Sequence, residues 1–173
     1  ITVISADPAD TKRRHGVHAV GSFDMGGILG AVRRADLLIS GGGSLLQNVT
    51  SRRSLYYYMG IILLALLLGK KVMLYAQGIG PVTGRFACRS MRWLGNRVSL
   101  ITVRDEGSMA ELRRLGITRP PMECTADPVL GIHPVDRAAG RAILRRYWAD
   151  GAKPVVGISV RDWQGWQHYK EIL

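Results

Sequence analysis

Short β-branched and aliphatic runs alternate along this chain with longer stretches in which apolar positions recur every three to four residues. Residues 1–5, 36–40, 71–76 and 99–103 are compact apolar runs of strand length, and 18–20 and 122–125 are shorter ones. Residues 25–34 place Ile28, Leu29 and Val32 at helical spacing. Residues 54–68 predict a long, mostly buried helix ended by Gly69, and 86–96, 106–115 and 137–148 predict further helices, the second of them stopped by Gly116. Asp7-Pro8 is a turn-forming pair, so 7–11 is expected to be a loop. The segment 36–40 is expected to be a buried strand. No hairpin signal interrupts the alternation. The fold class that follows is α/β, with a doubly wound parallel sheet.

Asp150-Gly151-Ala152-Lys153-Pro154 has linker composition, and 154–160 reads as a strand that begins something new. The expected organisation is an N-terminal domain over residues 1–150, then a linker and the first strand of a second domain over 151–173. The chain opens inside a strand-like run without an initiator Met and closes in a helix-like one. It is therefore expected to be a piece of a longer protein.

Composition adds little to this outline: 47% hydrophobic and 21% charged residues are ordinary for a globular protein. Charge adds more. The formal net charge is +11, and ten of the 24 Lys and Arg fall in arginine pairs such as Arg33-Arg34, Arg52-Arg53 and Arg113-Arg114. Two readings stay open: solvated helix faces, or a collective field for anions such as phosphorylated substrates or acidic lipid. No nucleic-acid motif accompanies the charge, so nucleic acid is not an expected partner. Cys88 and Cys124 form no CxxC and have no metal-ligand spacing with histidine, so no metal site is expected and a reduced, cytoplasmic setting fits. The apolar run 61–68 falls short of the ~20 residues that span a bilayer and suits a helix buried against a sheet.

Ligands of open α/β sheets bind at the carboxyl ends of the strands, and the residues there are unusual in this chain. After 36–40 comes Gly41-Gly42-Gly43-Ser44, with Gln47 beyond. Three glycines leave the backbone bare, so a ligand can approach its N–H groups; a tight strand-to-helix turn is the plainer reading. The spacing matches neither a dinucleotide fingerprint nor a phosphate loop. Gln77-Gly78-Ile79-Gly80 follows the next strand and suggests either backbone contact with a ligand or a simple loop. Arg104 ends the strand 99–103. It is suited to grip a carboxylate or phosphate, or to pair with Asp105 or Glu106. Asp127 is placed to bind a sugar hydroxyl or to hold a turn, and Arg161 ends the strand 154–160. His168 reads as a surface residue, and no nucleophile–base pair stands at useful spacing.

Read in order, these segments resemble the polysaccharide pyruvyltransferases, most closely the CsaB type that acts on secondary cell-wall polymers. The match runs through Asp36–Gln47, Thr50-Ser51, Ser54–Tyr58, Val72–Pro81, Ile101–Glu106, Thr125–Pro128 and Gly157–Arg161. The resemblance implies a GT-B-like enzyme of two Rossmann-like domains facing across a cleft, of which this chain carries the first. It implies phosphoenolpyruvate as co-substrate with no cofactor, and a lipid-linked cell-wall oligosaccharide as acceptor. The product it implies is a pyruvate ketal, on N-acetylmannosamine. Substrate contacts are then expected from Gly41, Gly42, Gly43, Ser44, Gln47, Gln77, Gly78, Gly80, Arg104, Asp127 and Arg161, with Arg104 and Arg161 stabilising anions. The catalytic acid, a histidine in the family, is expected in the C-terminal part. The family's opening Gly-Asp-Glu run is absent here. The implied setting is the cytoplasm at the inner face of the plasma membrane, with peripheral contact with anionic lipid left open. Two alternatives remain: a GT-B-type nucleotide-sugar glycosyltransferase, and a basic non-catalytic module that binds polymer or lipid.

Overall fold

The computed structural model describes residues 1–134, 136–147 and 158. The chain divides into two units, Ile1–Ile132 and His133–Leu173. The first unit contains six strands, β1 (Thr2–Ser5), β2 (His18–Gly21), β3 (Leu37–Ser40), β4 (Lys71–Gln77), β5 (Leu100–Val103) and β6 (Met122–Cys124). Its helices are α1 (Pro8–His15), α2 (Met25–Arg34), α3 (Arg52–Leu67), α4 (Arg85–Gly95) and α5 (Glu106–Arg114), with a short 3-10 turn at Pro128–Gly131. The second unit contributes α6 (Arg137–Tyr147), and the strand expected at 154–160 lies, apart from Ile158, outside the described residues, as do Arg161 and His168.

All strand pairs are parallel, as the alternation of strand and helix requires. The Rossmann-like α/β expectation holds. The hydrogen-bonded ladder, however, comes in two pieces: β1–β2, and a four-stranded sheet in the order β3-β4-β5-β6. The second sheet buries its core between β4, β5 and the helices. Leu74, Ile101, Leu55, Met91 and Leu112 are almost wholly enclosed, and Ile28 and Val32 of α2 join the same cluster.

Two expectations need correction. Residues 7–11 are not a loop. Asp7 caps α1, its Oδ1 accepting the Asp10 N–H at 2.9 Å, and Pro8 sits in the first turn, where a missing N–H costs nothing. The Asp-Pro pair therefore starts a helix. Nor is β3 a buried strand. It lies at an edge of its sheet, and Leu37 and Ile39 on it are exposed. The long helix α3 shows the opposite balance. It turns Leu55, Met59, Ile62 and Ala65 inward at helical spacing and leaves Leu63 and Leu67 outside. Gly69 and Gly116 end α3 and α5 with φ of +67° and +75°, left-handed values that glycine adopts without a Cβ penalty.

Leu55 has no exposed surface, so Leu55→Ala leaves a cavity that rigid neighbours fill poorly. We expect a loss of about 2–5 kcal/mol, read as a lower urea midpoint at unchanged slope.

Candidate functional site

The carboxyl ends of β3, β4, β5 and β6 converge on one crevice, and a defect in β4 shapes it. The β4–β5 register passes from Leu74↔Ile101 to Gln77↔Val103, so β4 carries one extra residue there. Within that bulge Ala76 adopts φ +46°, a left-handed conformation that costs a non-glycine residue roughly 1–2 kcal/mol. The buried Thr102 Oγ1 offsets the cost by accepting the Ala76 N–H at 2.7 Å.

The bulge sets the direction of Gln77, which is fully buried. Its Nε2 donates to the carbonyls of Ser40 at 2.9 Å and Gly41 at 3.1 Å, clamping the start of the glycine turn. Among the described residues its buried Oε1 accepts no hydrogen bond. A flipped amide would set oxygen against two carbonyl oxygens, so the orientation follows from its neighbours. The Gly78 N–H donates to the Gly43 carbonyl at 2.9 Å, closing the clamp from the other side.

The glycines serve different ends. Gly43 has φ +81°, so the turn requires it. A Cβ at Gly41 or Gly42 would meet nothing within 4 Å, and their backbone faces open space. A Cβ at Gly78 would lie 2.7 Å from Ser44 Oγ and 2.9 Å from Arg104 Nε; at Gly80 it would lie 2.7 Å from Gln47 Cβ. Gly78 and Gly80 are thus small because the site's own side chains crowd them.

Arg104 stands at the centre. Its Nη1 donates to Asp127 Oδ2 at 2.7 Å and its Nη2 to Ser44 Oγ at 3.0 Å, while Asp105 Oδ2 is 3.8 Å from Nε. Its main electrostatic partner is therefore Asp127, 23 positions along the chain, rather than adjacent Asp105 or Glu106. Asp105 instead caps α5, accepting the Ser108 N–H at 2.7 Å. Asp127 also caps the 3-10 turn through the Val129 N–H. That N–H first, and the Arg104 guanidinium second, hold its carboxyl below the ordinary aspartate range. Asp127 is ionised at neutral pH and acts as an acceptor.

The crevice encloses about 340 Å³ and is lined by Ser44, Gly78, Ile79, Gly80, Arg104 and Ser108, among others. Its wall at residues 79–82 is fixed to α5 by residues that the sequence reading missed. Ser108 Oγ accepts the Ile79 N–H at 2.8 Å, and Glu111 Oε1 accepts the Val82 N–H at 2.9 Å. Arg114 holds Glu111 through two bonds of 2.6 Å and reaches the Val82 carbonyl at 2.9 Å. Ser108, Glu111 and Arg114 are spaced by three along α5, one helical face, and that spacing was the available signal. Gln47, expected to touch substrate, has its amide engaged in its own loop. Its Oε1 accepts from the N–H groups of Val49 and Thr50.

The structure thus brings together Ser44, Gly78, Gly80 and Arg104, with Gly41, Gly42 and Gly43 on the adjoining turn, Gln77 beneath it, and Asp127 on the guanidinium. Gln47 stands beside Gly80. Arg161 lies outside the described residues. Among those residues, no group of three His, Cys, Asp or Glu side chains is placed to hold a metal ion. The arrangement suits a small anion: a guanidinium fixed in direction with bare backbone beside it.

The model of one protein family, polysaccharide pyruvyl transferase, matches residues 1–172. No curated protein and no solved structure matches the chain significantly.

Glu111 is held below the ordinary glutamate range chiefly by its hydrogen bond to Arg114, with burial opposing. A depressed carboxyl stabilises the fold above its unfolded pKa, and the contribution fades as pH falls through the folded one. Glu111→Gln should therefore cost on the order of 1–3 kcal/mol at neutral pH. The gap from the wild type should close under acid, as read from denaturant midpoints across a pH series.

Proposed function

Because this chain belongs to the polysaccharide pyruvyl transferase family, we propose that its crevice receives phosphoenolpyruvate. The enzyme is a transferase that acts on a polysaccharide. The acceptor in this reading is a lipid-linked cell-wall precursor, and the pyruvyl group becomes a 4,6-ketal on its N-acetylmannosamine. The enzyme then has the two facing domains of a GT-B architecture, with this crevice as one wall.

One observation carries the donor assignment: Arg104 is fixed at the carboxyl edge of the sheet beside bare glycine backbone. Two of its five N–H groups go to Asp127 and Ser44, and its side chain keeps 31% of its surface exposed. The remaining N–H groups suit the carboxylate or phosphate of the donor. Asp127 and Ser44 hold the guanidinium plane, so little freedom is lost on binding.

The reaction needs the donor anchored while charge moves. Protonation at C3 of the enol makes C2 electrophilic. One sugar hydroxyl adds there and loses its proton, phosphate departs with the C–O bonding pair, and a second hydroxyl adds at C2 and gives up its proton to the departing phosphate, closing the ketal. Arg104 and the N–H groups of the glycine turn would hold carboxylate and phosphate through these steps. The direct test is phosphate release by the full-length enzyme from phosphoenolpyruvate and a lipid-linked disaccharide. A uridine diphosphate sugar serving as donor instead would overturn the assignment.

Two substitutions sharpen this. Arg104→Ala should lower kcat/KM for phosphoenolpyruvate by roughly 10- to 100-fold, since a charge-assisted hydrogen bond is worth about 1.5–3 kcal/mol. Arg104→Lys should recover only part, because an ammonium lacks the planar fork. A lower melting temperature with normal kinetics would mark Arg104 as a brace for Asp127 alone. Gly42→Val should fold, since its Cβ meets open space, yet weaken donor binding by blocking the backbone. Retained affinity in isothermal titration would remove the glycine turn from the site.

A further inference from the structure

A second concave surface lies on the helices of the same unit. Between α3 and α4 runs an open groove of about 750 Å³, lined mostly by carbon and including Tyr56, Met59, Leu63, Phe86 and Trp93. Large apolar side chains stand exposed along it and next to it: Phe86 at 72% and Leu67 at 73% of their surface, with Tyr56 and Trp93 close to half. The Tyr56 and Phe86 rings face each other across it at 6.1 Å. Patches of this kind on a protein surface mark sites of association.

The charge around the groove has one sign. Arg85 and Arg89 line it, Arg52 and Arg53 begin α3, Arg92 lies on α4, and neither helix carries an acidic residue. The Arg97 guanidinium stacks 3.9 Å over the Trp93 ring. The bias extends beyond the helices: between Asp36 and Asp105 the sequence has nine Lys and Arg and no Asp or Glu. About two fifths of the chain therefore carries basic residues without an acidic one, and only Arg104 among these nine, in the other crevice, pairs with a carboxylate outside the segment among the described residues.

We propose that this α3–α4 face docks on an anionic lipid bilayer, with Phe86, Trp93 and Leu67 entering the interface and the flanking arginines meeting lipid phosphates. The chemistry favours a membrane over a peptide. Apart from the arginines, the lining side chains offer only the hydroxyls of Tyr56 and Ser90 and the indole N–H of Trp93, so there is little to read a peptide backbone. Aromatic rings with arginines beside them suit the boundary of headgroup and acyl chain, where the rings lie flat and the guanidinium groups stay hydrated. No helix among the described residues is long and apolar enough to cross a membrane, so the contact is peripheral. The inference stands on this surface alone and does not need the donor assignment.

The test is co-sedimentation of the full-length protein with vesicles of phosphatidylcholine, with and without phosphatidylglycerol. Binding is expected only to the anionic vesicles and should weaken with added salt. The pair Phe86→Ser and Trp93→Ser, and separately the pair Arg85→Ser and Arg89→Ser, should each lower partitioning by about tenfold or more. Phe86 is exposed enough that Phe86→Ser alone gives a folded variant in which the loss can still be read. The pair Arg33→Ser and Arg34→Ser removes the same charge from α2 and should leave partitioning within about twofold. Equal losses from the two arginine pairs would reduce the effect to net charge and overturn the proposal. So would absence of vesicle binding, or binding indifferent to Phe86 and Trp93. Self-association abolished by Phe86→Ser, without vesicle binding, would assign the face to a second copy of this chain. Capture of an acidic amphipathic peptide in place of vesicles would assign it to a protein partner.

Discussion

The crevice is organised by a guanidinium with no room to move. Arg104 is held by Asp127 on one side and Ser44 on another, and the absent Cβ of Gly78 leaves its Nε and Nη2 their space. Three strand ends thus meet through one side chain: Ser44 after β3, Gly78 after β4, Asp127 after β6. As an ion pair in contact with water, Arg104–Asp127 contributes little to stability. Its effect is directional. It sets where positive charge points and leaves part of the guanidinium facing the crevice.

Direction of this kind needs a firm base, and the chain supplies it below the surface. The β4 bulge turns Gln77 under the glycine turn, Thr102 receives the strained Ala76 N–H, and Ser108 and Glu111 pin residues 79–82 to α5. Every one of these bonds joins a side chain to backbone. They fix the path of loops whose glycines would otherwise move freely, and they leave the outer face of Gly41 and Gly42 bare. A site for a small anion needs rigid N–H groups and no side chains in front of them.

The periodicity of the sequence made the alternating elements legible, because core burial enforces the 3.6-residue and two-residue repeats directly. Leu55, Met59 and Ile62 are buried at the spacing a helix imposes. The strand ends were legible for a related reason: glycine, glutamine and arginine interrupt apolar runs where a sheet meets solvent. What escaped depends on pairs distant in sequence or on backbone geometry. Asp7-Pro8 carries the same residues whether it makes a turn or opens a helix, and the residues after it decide. Nothing in Tyr75-Ala76-Gln77 announces a bulge. Arg104 and Asp127 were both singled out, yet as separate contacts, since their pairing exists only once β5 and β6 lie side by side. The exposure of Leu37 and Ile39 likewise depends on strand order.

The crevice also has a chemical character that its electrostatics define. Glu111 in its lining and Asp127 on the Arg104 guanidinium are both held below their ordinary ranges by N–H donors and arginine. A group stabilised as an anion is a poor proton donor at neutral pH, because protonation would forfeit those hydrogen bonds. In the reaction proposed above, ketal formation from phosphoenolpyruvate needs a proton delivered to carbon, the step for which such carboxylates are least suited. Under that proposal the side chains around Arg104 handle charge and position, and the acid comes from a group in a different environment, closer to neutral in its pKa. Separating the two tasks has a physical advantage. An acid placed against Arg104 would be driven to its anion by the guanidinium's positive field, so in the proposed reaction anchoring and protonation work best from opposite sides of the substrate.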